Sequence, residues 1–498
     1  MTNSIVQNQA NFDAALLGLT LARGGEALHV QLAEALRRLI LAGAPPGARL
    51  PPSRKLAQEL SISRATVLTA LDQLTAEGYL QGRPGAGLFV ARDLPHLAPP
   101  LARAADGPAA SGTQPVRPFH PGQPDMRQFP HAAWARHLEA AWRAPDPGLL
   151  GVPDRFGWPP LREAIAAHLG AWRGIGCSAG QIIVTSGATE ALGLAGRLLA
   201  PGGIVHVEEP GHAPVRAQLA AAGLRCVAVP VDAQGLDPAL LRADAAGVVV
   251  TPSRQYPLGM TLPAARRLAL LDWAQRAGAL VIEDDYDSEF RFTGQPLPAL
   301  ASLDRGARTL YIGSFSKLLS PGIRLGYMVV PAAFLPRLHE IVGRAGTLAS
   351  LVPQPALARF MQSGEFATHL RRMRRLYAQR QSALREALAP LVPDWLVPAI
   401  EPSGMHFIVR FGPRLAGWSD GAVAAAAREA GLALVPLSQY FHEAPPVQGL
   451  LLGFAGFEPG DLRAAASRLG ACLAGLGEAG SGGSGFALDQ KKSLAERA

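Results

Sequence analysis

The segment 313–327 carries the residues with the clearest chemical potential in the sequence. Lys317 follows a short apolar run, and Ser314, Ser316 and Arg324 flank it. A lysine at the end of a buried strand is costly unless its ammonium is neutralised or used. Forming a Schiff base with an aldehyde cofactor uses the amine, and the nearby hydroxyls and guanidinium suit a phosphate group. The alternative is a lysine on a surface turn.

A second polar cluster ends another apolar run, at Asp284, Asp285 and Tyr286. In open α/β sheets, ligands bind beyond the carboxyl ends of the strands. A carboxylate at that edge can pair with a protonated pyridine nitrogen, and a phenol can hydrogen-bond a ring hydroxyl. Two adjacent aspartates alone are equally compatible with a magnesium site, but the lysine segment argues against a metal.

Two further segments place polar residues directly after apolar runs. Gly187, Ala188 and Thr189 open a helix, whose backbone N–H groups can bind a phosphate. The run 248–250 ends in a turn that can carry Tyr256 over or beside a cofactor ring. Each segment alone is a moderate signal, and the four together predict one cofactor site.

Short apolar runs alternate with helical stretches between residues 119 and 476. This alternation predicts an α/β domain with a largely parallel sheet covered on both faces. The runs are Ile182–Thr185, Ile204–Val207, Val227–Val229, Val248–Thr251, Leu280–Glu283, Leu310–Gly313 and Leu325–Val330.

The region 24–91 shows a different pattern of predicted secondary structure, in which short helices are followed by a glycine-rich hairpin. Helices are predicted over 29–42, from Ser53 (a plausible N-cap) and from Ser63. Arg64 and Thr66 lie on the exposed first turn of the third helix, where they can reach phosphates and base edges. The bland alternative is a small helical dimerisation module with ordinary solvated arginines.

The segment 79–90 is predicted to form two short strands joined by a tip that contains Gly85 and Gly87. Such a hairpin is the wing of a winged helix. The glycines do not indicate a nucleotide loop, because no strand–turn–helix context follows them. The amino-acid sequence of segments 50–57, 63–67 and 82–90 closely resembles that of the winged-helix DNA-binding domain of GntR-type bacterial regulators. The resemblance implies that DNA is contacted by Arg54, Arg64, Thr66, Arg83, Gly85 and Gly87.

The four cofactor segments resemble the fold-type I, aspartate-aminotransferase-like family of pyridoxal-phosphate proteins, over about 119–470. The resemblance implies that Lys317 is the Schiff-base lysine, that Asp284 pairs with the pyridine nitrogen and that Tyr286 contacts the ring hydroxyl. It places Tyr256 beside the ring and His212 where a ring-stacking aromatic is common. It assigns the phosphate to Gly187, Ala188, Thr189, Ser314, Ser316 and Arg324.

The two halves together resemble the MocR-type subfamily of bacterial transcription regulators. The expected layout is a winged helix-turn-helix (24–91), a Pro/Ala-rich linker (92–118), an aminotransferase-like domain with a smaller C-terminal α+β subdomain (119–476) and a disordered tail (477–498). The resemblance implies a homodimer, which in this subfamily is often head-to-tail, that binds operator DNA and senses an amino compound or pyridoxal phosphate itself. The alternative is an active aminotransferase with an appended DNA-binding-like domain.

The sequence departs from the aminotransferase pattern in the stretch 449–456, which contains no arginine. Aminotransferases usually hold the substrate carboxylate with an arginine in this stretch. Without that arginine, a charge-assisted, bidentate contact is lost. We therefore expect inefficient transamination of ordinary α-amino acids, and an effector that is another amine, an aminosulfonate or the cofactor. Arg254 is a candidate substitute cation; otherwise it is a solvated loop residue.

The basic run 369–380 predicts a helix with Leu370, Met373 and Tyr377 inward and its arginines on the outer faces. A solvated face or an intersubunit contact is the expected role of these arginines. The alternative is that these arginines form a second DNA-contacting surface.

Length and charge agree with this division. A chain of 498 residues exceeds one hydrophobic core, and 48% hydrophobic residues exclude global disorder. About half of the net charge of +8 lies between residues 21 and 92, where nine basic residues face five acidic ones. Three scattered cysteines argue against disulfides and zinc, and no signal peptide or membrane span is evident, so a cytoplasmic location is expected.

Overall fold

The computed structural model describes residues 19–22, 25–94, 116–151, 154–294, 297–305, 307–346 and 348–481. The chain divides into two compact units, 1–114 and 115–498. Most of the expected linker and the residues beyond 481 lie outside the described residues. The last helix continues to Ser481, past position 477, where the sequence suggested that the tail begins.

The first unit is a three-helix head with a two-stranded wing. Leu32, Leu36, Val67 and Leu71 lie in its apolar core. Its strands are antiparallel, in register from Leu80 opposite Val90. The elements are α1 (Leu28–Leu41), α2 (Ser53–Glu59), α3 (Arg64–Ala76), β1 (Leu80–Arg83) and β2 (Gly87–Val90).

The winged helix-turn-helix pattern expected from the sequence is confirmed. One detail differs, because Pro52 is the residue that caps α2 and Ser53 is the first helical residue. The Ser53 hydroxyl accepts a hydrogen bond from Nε of Arg64 at 3.3 Å. Ser63, by contrast, caps α3 by accepting a hydrogen bond from the Thr66 backbone.

The second unit contains an eight-stranded sheet in the order β3-β10-β9-β8-β7-β4-β5-β6. Its pairs are parallel except those made by β10 and by β6. The strands are β3 (Ile182–Thr185), β4 (Ile204–Glu209), β5 (Arg225–Asp232), β6 (Gly235–Leu236), β7 (Gly247–Val250), β8 (Leu280–Asp285), β9 (Thr309–Ser314) and β10 (Gly326–Val329).

Helices cover both faces of this sheet. Ile182 and Val184 pack into one apolar cluster, whereas Ile183 packs into a second cluster on the opposite face. The helices are α4 (His131–Trp142), α5 (Pro147–Leu150), α6 (Pro159–Arg173), α7 (Ala188–Leu198), α8 (Ala213–Ala221), α9 (Ala264–Ala277), α10 (Leu300–Leu303), α11 (Phe315–Leu318), α12 (Leu335–Ala345), α13 (Gln354–Gln362) and α14 (Glu365–Leu388).

A smaller antiparallel sheet follows, in the order β11-β12-β14-β13. The predicted α/β domain with a smaller α+β part is therefore confirmed. The elements of this part are β11 (Leu396–Ala399), β12 (His406–Phe411), α15 (Asp420–Glu429), β13 (Val435–Pro436), β14 (Gly449–Gly453) and α16 (Pro459–Ser481). In the part of the chain that the structure describes, no helix is long and apolar enough to cross a membrane.

Helix α14 contains the basic run. Leu370, Met373 and Tyr377 are buried, as the periodicity predicts. The expectation that every arginine of the run faces outward is wrong for Arg380, whose side chain is fully buried and pairs with Asp125 at 2.6 Å. A buried guanidinium needs a carboxylate partner, and only the tertiary fold supplies one here.

Candidate functional site

A cavity of about 210 Å³ lies where the strands of the large sheet end. Glu208, Asp284 and Ser314 line it from the carboxyl ends of β4, β8 and β9. This is the edge where open α/β sheets bind ligands. Eight of the residues predicted to bind the cofactor line the cavity together: Lys317, Asp284, Tyr286, Ala188, Thr189, Ser314, Tyr256 and His212.

Gly187, Ser316 and Arg324, the remaining predicted phosphate ligands, are not among the described lining residues of the cavity. Gly187 caps α7 with a φ of 141°, a conformation that favours glycine. Ser316 donates its backbone N–H to the Ser314 hydroxyl at 3.2 Å, and Arg324 is exposed.

Lys317 lies in α11, directly after β9, so its side chain enters the cavity from the sheet edge. Its Nζ donates a hydrogen bond to the carbonyl oxygen of Gly122 at 2.7 Å. Burial lowers the pKa of Lys317. The lowered pKa favours the neutral amine, which is the form that reacts with an aldehyde.

Asp284 and Asp285 are adjacent in β8 but face different surroundings. Asp285 is paired with Arg173 at 2.8 Å and accepts a hydrogen bond from the Tyr311 hydroxyl at 2.8 Å. Asp284 lines the cavity, and burial, with the Asp285 charge, raises the pKa of its carboxyl to about 7. An ionised carboxylate at this position would stabilise the protonated form of a pyridine nitrogen.

The sequence allowed two interpretations of Arg254, a substitute cation or a solvated loop residue. The second is wrong, because Arg254 is only 3% exposed. It donates to the Tyr286 hydroxyl at 2.9 Å and to the His406 carbonyl at 2.6 Å, and it lies 3.5 Å from Asp287. Arg254 does not line the cavity. Its guanidinium therefore supports Tyr286 from behind, and the other interpretation, a substitute cation for a ligand, stays a prediction.

Two aromatic rings meet at one wall of the cavity. His212 and Tyr256 are in edge-to-face contact, with centroids 5.2 Å apart. The Tyr256 hydroxyl lies 3.0 Å from that of Tyr440. Burial lowers the pKa of His212, which favours its neutral ring.

Several lining residues were not singled out from the sequence. Glu208 is the last residue but one of β4 and accepts hydrogen bonds from Thr251, and burial raises the pKa of Glu208 to about 7. The position of both residues at strand ends was a usable signal. No sequence signal marks several others, since distant segments bring them to the cavity: Pro121, Gly122, Met405 and His406. Arg216 and Asp287 lie close in sequence to the predicted His212 and Tyr286, but neither was singled out.

The head presents its predicted DNA-contacting residues on the surface. Arg54, Arg64 and Arg83 are exposed, as are the wing glycines Gly85 and Gly87. Thr66 is half-buried in the first turn of α3, within 2.8 Å of the Ser63 hydroxyl.

The two units match two family models. Residues 28–90 match the bacterial regulatory proteins of the gntR family, and residues 122–469 match aminotransferase class I and II. A winged-helix head joined to a fold-type I aminotransferase domain defines a class of bacterial regulators. The chain belongs to that class, the MocR-type subfamily of GntR regulators.

Relatives along nearly the whole chain support this assignment. The chain is 39% identical to the probable rhizopine catabolism regulatory protein MocR of Rhizobium meliloti, over 91% of this chain and 95% of that protein. It is 36% identical to the pyridoxine biosynthesis transcriptional regulator PdxR of Corynebacterium glutamicum, over 88% of this chain and 94% of that protein.

Solved aminotransferases share the fold of the second unit. The kynurenine aminotransferase of Pyrococcus horikoshii in complex with PMP is 27% identical with a TM-score of 0.66, covering 73% of this chain and 92% of that one. The α-aminoadipate aminotransferase of Thermus thermophilus, complexed with N-(5'-phosphopyridoxyl)-L-leucine, is 27% identical with a TM-score of 0.65, covering 72% and 92%.

Proposed function

We propose that this transcription regulator binds operator DNA through its head and senses an amino compound, or pyridoxal phosphate itself, at Lys317. The observation that carries the proposal is that one cavity is lined both by a buried lysine, Lys317, whose pKa is lowered, and by the carboxyl of Asp284 at the end of a neighbouring strand. The head adds exposed arginines at the start of α3 and on the wing. These are residue types that contact phosphates and base edges.

Pyridoxal phosphate is the cofactor that this family and these residues indicate. We infer that Lys317 binds its aldehyde, that Asp284 faces its ring nitrogen and that Tyr286 contacts its ring hydroxyl. Ala188, Thr189 and Ser314 line the cavity where a phosphate would be held, with His212 and Tyr256 beside the ring. When bound, the cofactor supplies an electrophilic carbon for amines and an electron-accepting ring.

The remaining assignments rest on the family resemblance. We infer that Gly187, Ser316 and Arg324 complete the phosphate site, that two copies of the chain form the DNA-binding assembly and that it works in the cytoplasm. A ligand can shift DNA binding only if it binds the two conformations of that assembly with different affinities.

Linked binding measurements test the sensing role against the enzymatic alternative. We expect that an amine that changes the cofactor absorbance also changes operator affinity, and that operator DNA changes amine affinity by the same factor. Amino donors should give little steady-state transamination. Brisk turnover together with operator binding that ignores every amine, and that is the same with and without pyridoxal phosphate, would support the aminotransferase and refute the sensor.

A further inference from the structure

We infer that Arg216 recognises an anionic group on the effector, so that the sensed molecule is an amine that also carries a carboxylate or sulfonate. The inference rests on the proposed function, because it takes the cavity around Lys317 to be the sensing site. Arg216 was not singled out from the sequence.

Arg216 lies in α8 and lines the same cavity as Lys317. Its Nη2 is 3.0 Å from Glu443 and 3.8 Å from Glu209. Its buried Nε has no hydrogen-bond partner among the described residues, and neither does Oε2 of Glu209. The guanidinium is therefore only partly satisfied and has donors left for another anion.

No other arginine or lysine at the cavity is free for this task. Among the described lining residues, the other such cation is Lys317, which the proposed function assigns to the cofactor aldehyde. Arg254 is buried against Tyr286 and His406 and does not line the cavity. The strand β14, where aminotransferases usually carry their carboxylate-binding arginine, has none.

Glu443 acts as an internal competitor for Arg216. Its side chain is 53% exposed, and a partly exposed ion pair costs little to break. Its chain segment is held independently, because Oε1 of Glu209 accepts backbone N–H bonds from His442, Glu443 and Ala444. A ligand anion can therefore replace the Glu443 carboxylate on Arg216 while the segment stays anchored.

The test compares ligands that differ only in the anionic group. The full chain loaded with pyridoxal phosphate is titrated with a series of unbranched ω-amino carboxylates, ω-amino sulfonates and the matching 1-aminoalkanes, and the cofactor absorbance is followed. We expect the anionic members to bind more tightly. Arg216→Gln should weaken their binding about tenfold or more and leave the aminoalkanes unchanged, since it removes a charge-assisted contact.

Two further variants sharpen the comparison. Glu443→Gln should strengthen binding of the anionic ligands, because it removes the competitor. Arg266→Gln is the matched control: Arg266 is similarly exposed (17% against 22%) and paired with a carboxylate, but it does not line the cavity. An Arg216→Gln protein that keeps its preference for anionic ligands overturns this inference alone. A wild-type protein that responds to no member of the series overturns this inference together with the proposed sensing of an amino compound.

Discussion

At the scale of single residues, neighbours in sequence acquire different chemistry from their surroundings. The guanidinium of Arg173 and the hydroxyl of Tyr311 engage Asp285, whereas Asp284 turns to the cavity. Asp285 thus stabilises the fold, whereas the chemically identical side chain of Asp284 faces the space where a ligand would bind.

The raised pKa of Asp284 predicts a pH dependence for the cofactor-free chain. Its pKa is about 7 in the folded chain against 3.8 ordinarily, so between about pH 4 and 7 the unfolded chain has released a proton that the folded chain keeps. Stability therefore falls as pH rises through this window. Asp284→Asn should flatten that fall, as measured by denaturant unfolding over a pH series.

A control separates this effect from general charge changes. Asp244→Asn should leave the slope between pH 5 and 7 unchanged, because Arg242 lowers the pKa of that exposed carboxyl to about 2. An Asp284→Asn slope equal to that of the wild type would show that Asp284 is ionised throughout.

Lys317 carries the second residue-scale prediction. Lys317→Ala should abolish the visible absorbance band of the lysine-bound cofactor, because the described lining of this cavity contains no second lysine to bind the aldehyde. Lys55→Ala, which changes an exposed lysine of the head, should keep the band. Retention of the full band in the Lys317 variant would refute the assignment of this lysine.

At the scale of elements, periodicity and strand ends predicted most of the architecture. Apolar runs located the central strands, and the segments that follow them, together with the family resemblance, located eight lining residues of one cavity. The exceptions are Arg254 and Arg380, whose burial depends on acceptors from distant segments. Local sequence contains no trace of such partners, so Arg380 was expected on an outer face of its helix and Arg254 either as a substitute cation or as a solvated loop residue.

Helix α14 offers a stability test of that distinction. Arg380→Ala removes a fully buried guanidinium from Asp125 and Glu458, and it should destabilise the folded chain by about 3 kcal/mol, because the buried Asp125 carboxylate loses its buried cation and keeps the half-exposed Arg127. Arg375→Ala, on the exposed side of the same helix, should change stability by less than about 0.5 kcal/mol. Equal unfolding midpoints for the two variants would contradict the structural role of Arg380.

At the scale of the whole molecule, the positive charge serves two purposes. The head region 21–92 holds about half of the net +8 and presents Arg54, Arg64 and Arg83 to solvent. The cavity of the second unit is instead defined by individually placed groups such as Lys317 and Asp284. Net charge therefore pointed towards nucleic acid but said nothing about the cofactor.

The central claim is that this chain is a DNA-binding regulator, and binding of the full chain to the DNA upstream of its own gene tests it most directly. Fluorescence anisotropy with excess unrelated competitor DNA should show specific binding that weakens steeply with salt. Arg64→Ala should weaken it about tenfold or more, whereas Arg375→Ala should not. Binding no tighter than to the unrelated DNA, and equal in wild type and Arg64→Ala, would contradict the claim.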